Sequence, residues 1–259
     1  MAISHDFSGR NILVTGANQG IGYALAQAFA QAGAHLFILS ENEAINTAAE
    51  TLRETTGAHV EAIICDISDF EAVTAALAPL PRIDVLVNNA GYQPMTPIRD
   101  TSAKTRHEFD RVIDINVKGT YYVTREILPH MQSGGRIILT SSIWGKSGAA
   151  LYSGYCASKH ATIGFMRALA HELGPDGITV NAVCPGWVET EGSMWTLEDE
   201  SRRSGRPLQD LVDEFLVGQP IGGMMQPAAM APMYLFLASD AACDITGQAF
   251  NVDRGSFIG

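Results

Sequence analysis

Seven short runs dominated by Ile, Val and Leu, separated by stretches with helical spacing, restrict this sequence more than any other feature. The runs are Asn11–Val14, Leu36–Leu39, Val60–Cys65, Val85–Val87, Ile137–Thr140, Thr179–Val183 and Ala249–Val252. Brief segments that are apolar at nearly every position suit strands covered on both faces, and an intervening helix returns the chain for a parallel neighbour. Between the first two runs, Ile21, Leu25, Ala28 and Phe29 recur at helical spacing, and Gly33 after Ala32 supplies a helix stop. Further helical patterns cover Ala44–Glu54, Phe70–Leu77, Lys104–Met131, Gly154–Leu173 and Ala228–Ala238. The expectation is one α/β domain over residues 1–259: a doubly wound, seven-stranded parallel sheet with helices on both faces.

One segment departs from this rhythm. Glu189 to Gly223, with the charged run Glu198-Asp199-Glu200-Ser201-Arg202-Arg203, is longer than an ordinary connection and reads as a helical substrate lid, with a solvated helical hairpin as the plainer alternative.

Composition narrows the function. A chain that is 46% hydrophobic has ample core material, while a formal charge of -11 and a pI near 5.0 speak against a phosphate-backbone partner. The polar start Met1–Arg10 lacks the apolar run of a secretory signal, and no later stretch has the length of a membrane span. A cytoplasmic enzyme with a small-molecule substrate, and neither nucleic acid nor membrane as partner, is expected. Cys65, Cys156, Cys184 and Cys243 are far apart and read as reduced core or near-core thiols; with no His/Cys cluster, no catalytic metal is expected.

After the first strand, Thr15-Gly16-Ala17-Asn18-Gln19-Gly20-Ile21-Gly22 opens directly into a helix. Glycines there permit a tight turn and close backbone approach, and free N–H groups at a helix start attract a pyrophosphate. The next strand ends at Ser40 and Glu41, where an acid accepts hydrogen bonds from a ribose 2′-hydroxyl and repels a 2′-phosphate. Asn18 and Gln19 add no positive charge, so NAD is the expected cofactor.

Tyr155 and Lys159 lie four residues apart on an expected helix and therefore share one face. A free phenol, with a pKa of about 10, is a poor base near neutrality. A neighbouring ammonium and a positively charged nicotinamide both favour phenolate and bring it into a working range. Tyr152 lies seven residues from Lys159 and lacks this relation, so it is placed in the wall of the substrate pocket.

These residues occur in an ordered set: Thr15-Gly16-x-x-x-Gly20-Ile21-Gly22, Asn88-Asn89-Ala90-Gly91, Asn116, Ser142, Tyr155-Cys156-Ala157-Ser158-Lys159 and Pro185-Gly186. In order and spacing the set resembles the short-chain dehydrogenase/reductase family along essentially the whole chain. The resemblance implies a Rossmann fold and an oxidoreductase that interconverts a secondary alcohol and its ketone or lactone by hydride transfer. It implies Asn116, Ser142, Tyr155 and Lys159 as the catalytic group, with Tyr155 as acid/base, Ser142 on the substrate oxygen, Lys159 also on the nicotinamide ribose and Asn116 holding a relay water. It implies further cofactor contacts from Asp66 and Ile67 at the adenine, Asn88, Ala90 and Gly91 along the adenosine side, and Pro185, Gly186, Trp187, Val188 and Thr190 along the nicotinamide. As an alternative, an Asp at the position of Asp66 simply caps a turn.

The expected substrate pocket comprises Gln93, Pro94, Ser142, Trp144, Tyr152, Trp187, Met194 and Trp195. An aromatic wall with few polar groups suits a sugar face or ring. The chain is similar to bacterial polyol/sugar and hydroxybutyrate dehydrogenases, but Trp144 and Tyr152 stand where the latter carry basic and polar groups for a carboxylate. A neutral polyol, sugar or cyclic alcohol is therefore favoured over a hydroxy acid. The alternatives are a hydroxybutyrate-type enzyme, a non-catalytic NAD-binding sensor or scaffold, or an epimerase, dehydratase or enoyl reductase on the same frame. Enoyl reductases of this superfamily space the tyrosine and lysine more widely. The ending Asn251-Val252-Asp253-Arg254-Gly255 has Arg254 where the family has glycine, read as a surface residue or an assembly contact. The resemblance also implies a homotetramer or homodimer.

Overall fold

The computed structural model describes residues 5–258. Residues 1–4 and Gly259, the ends of the polar start and of the domain span read from sequence, lie outside the described residues. The expected seven strands all form: β1 (Asn11–Thr15), β2 (His35–Ser40), β3 (Val60–Ile64), β4 (Val85–Asn88), β5 (Arg136–Thr140), β6 (Thr179–Pro185) and β7 (Ala249–Val252). They make one parallel sheet in the order β3-β2-β1-β4-β5-β6-β7. The order reverses between β1 and β4, and the crevice at such a switch point is where open α/β sheets take ligands.

The helices are α1 (Gly20–Gln31), α2 (Ala44–Thr56), α3 (Phe70–Leu77), α4 (Ala103–Ile113), α5 (Thr120–Ile127), α6 (Ser153–Leu173), α7 (Glu191–Ser204), α8 (Leu208–Leu216) and α9 (Ala231–Ala238). Because side chains alternate along a strand, the sheet buries two separate cores. Ile12 and Val14 of β1 pack with Leu25, Phe29, Tyr234 and Leu237 from α1 and α9. Leu13, between them, joins Leu86, Leu139, Val123, Ile127 and Met166 on the opposite side. Every residue of β4 and β5 is buried, whereas β3 and β7 at the edges are only partly covered.

Three expectations need correction. The single helix expected over Lys104–Met131 is interrupted: α4 passes into a π-helical segment, Asp114–Gly119, before α5. The segment ends at Gly119, a poor helix former where a Cβ would lie 2.7 Å from Ile67 Cγ1, and the wider turn is held by tertiary bonds from Asn116. Cys243 is exposed rather than near the core, while Cys65 and Cys184 are buried. Arg254 takes a left-handed backbone conformation (φ 55°), where the glycine of the family pattern would be unstrained. It is not an idle surface residue, because its guanidinium donates to the carbonyls of Gly222 and Gly223. No helix among the described residues is long and apolar enough to cross a membrane, and no group of three or more His, Cys, Asp or Glu there could hold a metal ion.

Leu86 sits on the central strand with no exposed surface. Leu86→Ala is expected to cost about 2–5 kcal/mol, read as a lower urea midpoint with an unchanged slope.

Candidate active site

The carboxyl ends of β1, β4, β5 and β6 open into a cleft of about 500 Å³. At its β1 end the glycine turn has no room for side chains. Gly16 has φ +64°, and a Cβ there would lie 2.8 Å from the Ala90 Cα. At Gly22 a Cβ would come within 2.0 Å of the Gly16 carbonyl oxygen. The turn packs backbone against backbone, leaving the α1 start open toward the cleft, where Gly16, Asn18, Gln19, Gly20, Ile21 and Gly22 all line the wall. This fits the cradle a dinucleotide requires.

Ser40, Glu41, Asp66 and Ile67 line the same end, with Ala90 and Gly91 beside them. The Glu41 carboxylate is fixed at both oxygens: Ser40 Oγ donates to Oε2 at 3.1 Å and Asn42 Nδ2 to Oε1 at 3.1 Å. Asp66 also closes its own turn, accepting from the Ser68 amide and hydroxyl at 2.9 and 2.7 Å. Asn88 is different. It lies below the cleft and donates to Thr124 Oγ1 at 2.9 Å, tying β4 to α5.

At the other end, Ser142 follows β5 and Tyr155 and Lys159 project from α6, all three lining the cleft. Lys159 Nζ lies 5.5 Å from the Tyr155 ring centre and donates to the Thr140 carbonyl at 2.8 Å. Burial pushes the Lys159 ammonium down to about 8. Burial also raises the Tyr155 phenol, opposed by its hydrogen bond with Ser142. Both shifts have one cause: neither group has enough water or counter-charge to support its ionised form.

Asn116 does not line the cleft; it is buried behind it. Its carboxamide accepts from the Tyr92 amide at 2.7 Å and donates to the Tyr92 carbonyl at 3.0 Å and to Ser158 Oγ at 2.9 Å. These bonds clasp the segment after β4 to α6 and occupy the side chain of the π turn.

On the substrate side the expectations divide. Gln93, Trp144, Trp187 and Trp195 line the cleft, Trp195 at its exposed rim, as do Pro185, Gly186, Val188 and Thr190. Thr190 also caps α7, accepting from the Ser193 amide in a reciprocal capping box. Pro94, Tyr152 and Met194 do not line the cleft. Tyr152 is covered by Trp144, their ring centres 4.9 Å apart, and its hydroxyl is buried without a partner. The segment expected as a lid folds into α7 and α8.

Sequence reasoning missed Phe215 of α8, which stacks on Trp187 (4.5 Å between centres, 18° between planes) and approaches Trp144 at 6.2 Å. The apolar spacing of Leu208, Leu211, Val212 and Phe215 was its signal, but not its destination. Tyr92 and Arg111 were also missed. Both line the cleft; Tyr92 donates to Glu108 at 2.6 Å, and the Arg111 guanidinium lies over its ring at 4.8 Å.

The family model described as enoyl-(acyl carrier protein) reductase matches residues 16–256. A 3-oxoacyl-(acyl-carrier-protein) reductase of Chlamydia trachomatis is 36% identical over 253 residues, 95% of this chain and 96% of that protein. The structure of L-sorbose reductase from Gluconobacter frateurii, complexed with NADPH and L-sorbose, is similar with a TM-score of 0.90 at 27% identity, covering 99% of this chain and 100% of that one. An NAD⁺-bound xylitol dehydrogenase is similar with a TM-score of 0.88 at 28% identity, covering 96% and 99%.

Gly22→Ala, by placing a methyl against the Gly16 carbonyl, is expected to weaken dinucleotide binding at least about 10-fold with little change in far-UV circular dichroism. Fluorescence titration with NADH checks it.

Proposed function

The chain belongs to the short-chain dehydrogenase/reductase family of oxidoreductases, and from that premise we propose that it interconverts a secondary alcohol and its ketone with NAD(H), Tyr155 serving as acid/base. The observation that carries this reading is the convergence of Ser142, Tyr155 and Lys159 at one end of the cleft whose other end is the glycine turn. A non-catalytic binding protein has no use for such a group. The spacing of Tyr155 and Lys159, one turn apart on α6, argues for carbonyl rather than enoyl reduction, despite the description attached to the family model.

When bound, the nicotinamide supplies the site for hydride gain or loss. The chain's own residues manage the proton. In alcohol oxidation Tyr155 Oη takes the hydroxyl proton, and in reduction it returns that proton to the carbonyl oxygen, which Ser142 Oγ holds by hydrogen bonding. Lys159, held by the Thr140 carbonyl, sets a positive charge beside the phenol and lowers the cost of phenolate. Asn116 acts by fixing the Tyr92 backbone beside this group.

The preference for NAD rests on Glu41, whose carboxylate would face a 2′-phosphate with no cation beside it. The preference for a neutral polyol, sugar or cyclic alcohol rests on the aromatic wall. Among the described residues lining the cleft, Lys159 and Arg111 are the cations, and Lys159 is tied to Thr140 while Arg111 covers Tyr92. Lys159, the cation beside Tyr155, already donates to Thr140 and faces the phenol, so the wall is not built around a carboxylate. The helices α7 and α8 act as the substrate lid. Tyr121, exposed on α5 and 6.2 Å from the Phe165 ring of α6, supports self-association of the expected homotetramer through this outer face.

Four outcomes check the reading. Tyr155→Phe is expected to abolish turnover in both directions while NADH still binds by fluorescence titration. Glu41→Arg is expected to shift the ratio of kcat/KM for NAD⁺ and NADP⁺ toward NADP⁺ by at least about 10-fold, and no shift would remove Glu41 from cofactor choice. Alcohol oxidation needs phenolate, so its rate rises with pH along a limb belonging to the Tyr155–Lys159 pair, whereas ketone reduction falls along the same limb. Lys159→Met removes the positive charge and is expected to move that limb to higher pH in a kcat/KM profile; an unmoved limb would show that Lys159 does not set the phenol.

A further inference from the structure

The helix that carries Tyr155 and Lys159 is fixed unevenly along its length. Lys159 is held from several sides: its ammonium donates to the Thr140 carbonyl, its own carbonyl accepts from Ser141 Oγ at 3.0 Å, and Ser158 beside it accepts from Asn116. Tyr155 instead lies in the first turn of α6, where amides have no partner within a helix. Tyr152, at the cap position, offers them no side-chain acceptor.

Thr96, from the segment after β4, supplies what this turn lacks. Its Oγ1 accepts from the Gly154 amide at 2.8 Å, its carbonyl accepts from Ser153 Oγ at 2.8 Å, and its own amide donates to the Leu151 carbonyl at 2.7 Å. Thr96 is buried, so these bonds are made away from water. Leu151 has a left-handed backbone (φ 70°), which a leucine keeps only where its surroundings impose it, and the Thr96 amide fixes its carbonyl there. At Gly154 a Cβ would lie 3.0 Å from Phe109 Cδ2 and 3.2 Å from Thr96 Oγ1, so the close approach suits glycine. Tyr92, on the same segment, is bonded to Asn116, which steadies the segment that bears Thr96.

Building on the reading of Tyr155 as acid/base, we propose that Thr96 is a positioning residue for the reaction: it caps α6 from outside the helix, fixes the first turn and so places the Tyr155 phenol against Ser142 and Lys159. Gly154, whose amide is capped, immediately precedes Tyr155. The groups facing the phenol are Ser142 after β5, Lys159 and Cys156 of α6, Cys184 of β6 and Tyr234 of α9. Thr96 carries no charge and acts on the phenol through the helix. A frayed first turn takes the phenol away from the Lys159 ammonium and loses the alignment of amides that gives a helix start its partial positive charge; both changes raise the pH at which phenolate forms.

The test titrates the whole protein, with NAD⁺ and with NADP⁺, by ultraviolet tyrosinate absorbance; subtracting the Tyr155→Phe signal isolates Tyr155. Thr96→Val keeps the shape and removes the acceptor, and is expected to raise the Tyr155 midpoint by at least about half a pH unit, while Thr96→Ser, which keeps the hydroxyl, titrates as the wild type. In hydrogen exchange, Thr96→Val is expected to speed residues 153–157 at least about 10-fold and to leave residues 163–173 unchanged. Ser153→Ala severs a single bond to Thr96 and is expected to move the midpoint in the same direction by less, which keeps the test decisive if Thr96→Val does not fold. A merely structural Thr96 lowers the melting temperature without moving the midpoint, and an unmoved midpoint in the folded variants overturns the proposal while leaving the acid/base reading intact. No Tyr155 titration in the wild type with either nucleotide overturns both.

Discussion

The carboxamide of Asn89 joins the three strand ends on which the site depends. Its Nδ2 donates to the carbonyls of Thr15 and Gly16 at 3.1 and 3.3 Å, and its Oδ1 accepts from Thr140 Oγ1 at 3.3 Å. Thr15 Oγ1 answers by accepting from the Asn89 and Ala90 amides. With the Asn89 amide nitrogen committed to the β1 carbonyls, Thr140 must donate to Oδ1, and the fully buried Tyr234 of α9 must in turn donate to Thr140 at 2.7 Å. The direction of every bond in this chain is thus determined. The crevice between β1 and β4, which parallel pairing alone leaves open, is held at a fixed width by the side chains of Asn89 and Thr15, and the glycine turn and the Thr140 carbonyl that anchors Lys159 are aligned through them.

The electrostatics of Tyr155 and Lys159 follow from that rigidity. Lys159 is buried with a carbonyl rather than a carboxylate for a partner, so its ammonium is destabilised, and the phenol of Tyr155 is destabilised as phenolate by the same dry surroundings. Each group is the other's best remedy: a phenolate would stabilise the ammonium and the ammonium the phenolate. Proton loss from Tyr155 and proton retention by Lys159 are therefore coupled, and the charge of an oxidised nicotinamide would act on the pair rather than on either residue alone.

Much of this was legible in the sequence for a physical reason: strands, turn and catalytic pair are each encoded locally. Runs such as Val85–Val87 are short and apolar because both faces are covered; the glycines of Gly16 to Gly22 are required by backbone contacts; and Tyr155 and Lys159 meet by helical spacing alone. What was not legible depends on partners distant in the chain. The π turn at Asn116 is held by Tyr92 and Ser158, partners that the helical pattern over Lys104–Met131 does not reveal. Tyr152 is withdrawn from the cleft wall because Trp144 covers it, and Phe215 meets Trp144 and Trp187 only because α8 folds back toward them. The role of Arg254 likewise needed the carbonyls of Gly222 and Gly223, which the linear sequence places thirty residues away.

The segment formed by α7 and α8 is joined to the body of the protein by few buried contacts. The segment is secured at its two ends: Thr190 and Ser193 cap α7 at the start, and Arg254 holds Gly222 and Gly223 at the finish. Between them its buried residues are few, namely Thr196 and Leu197 on α7 and Leu211 on α8. Its ion pairs, Arg202 and Arg203 with Asp199 and Arg206 with Glu214, lie at the surface and contribute little. Elements with small buried area open at low free energy while the core beneath them stays closed. The stack of Phe215 on Trp187 is then a principal contact holding α8 down, and this one pair of rings does most to set where the segment rests.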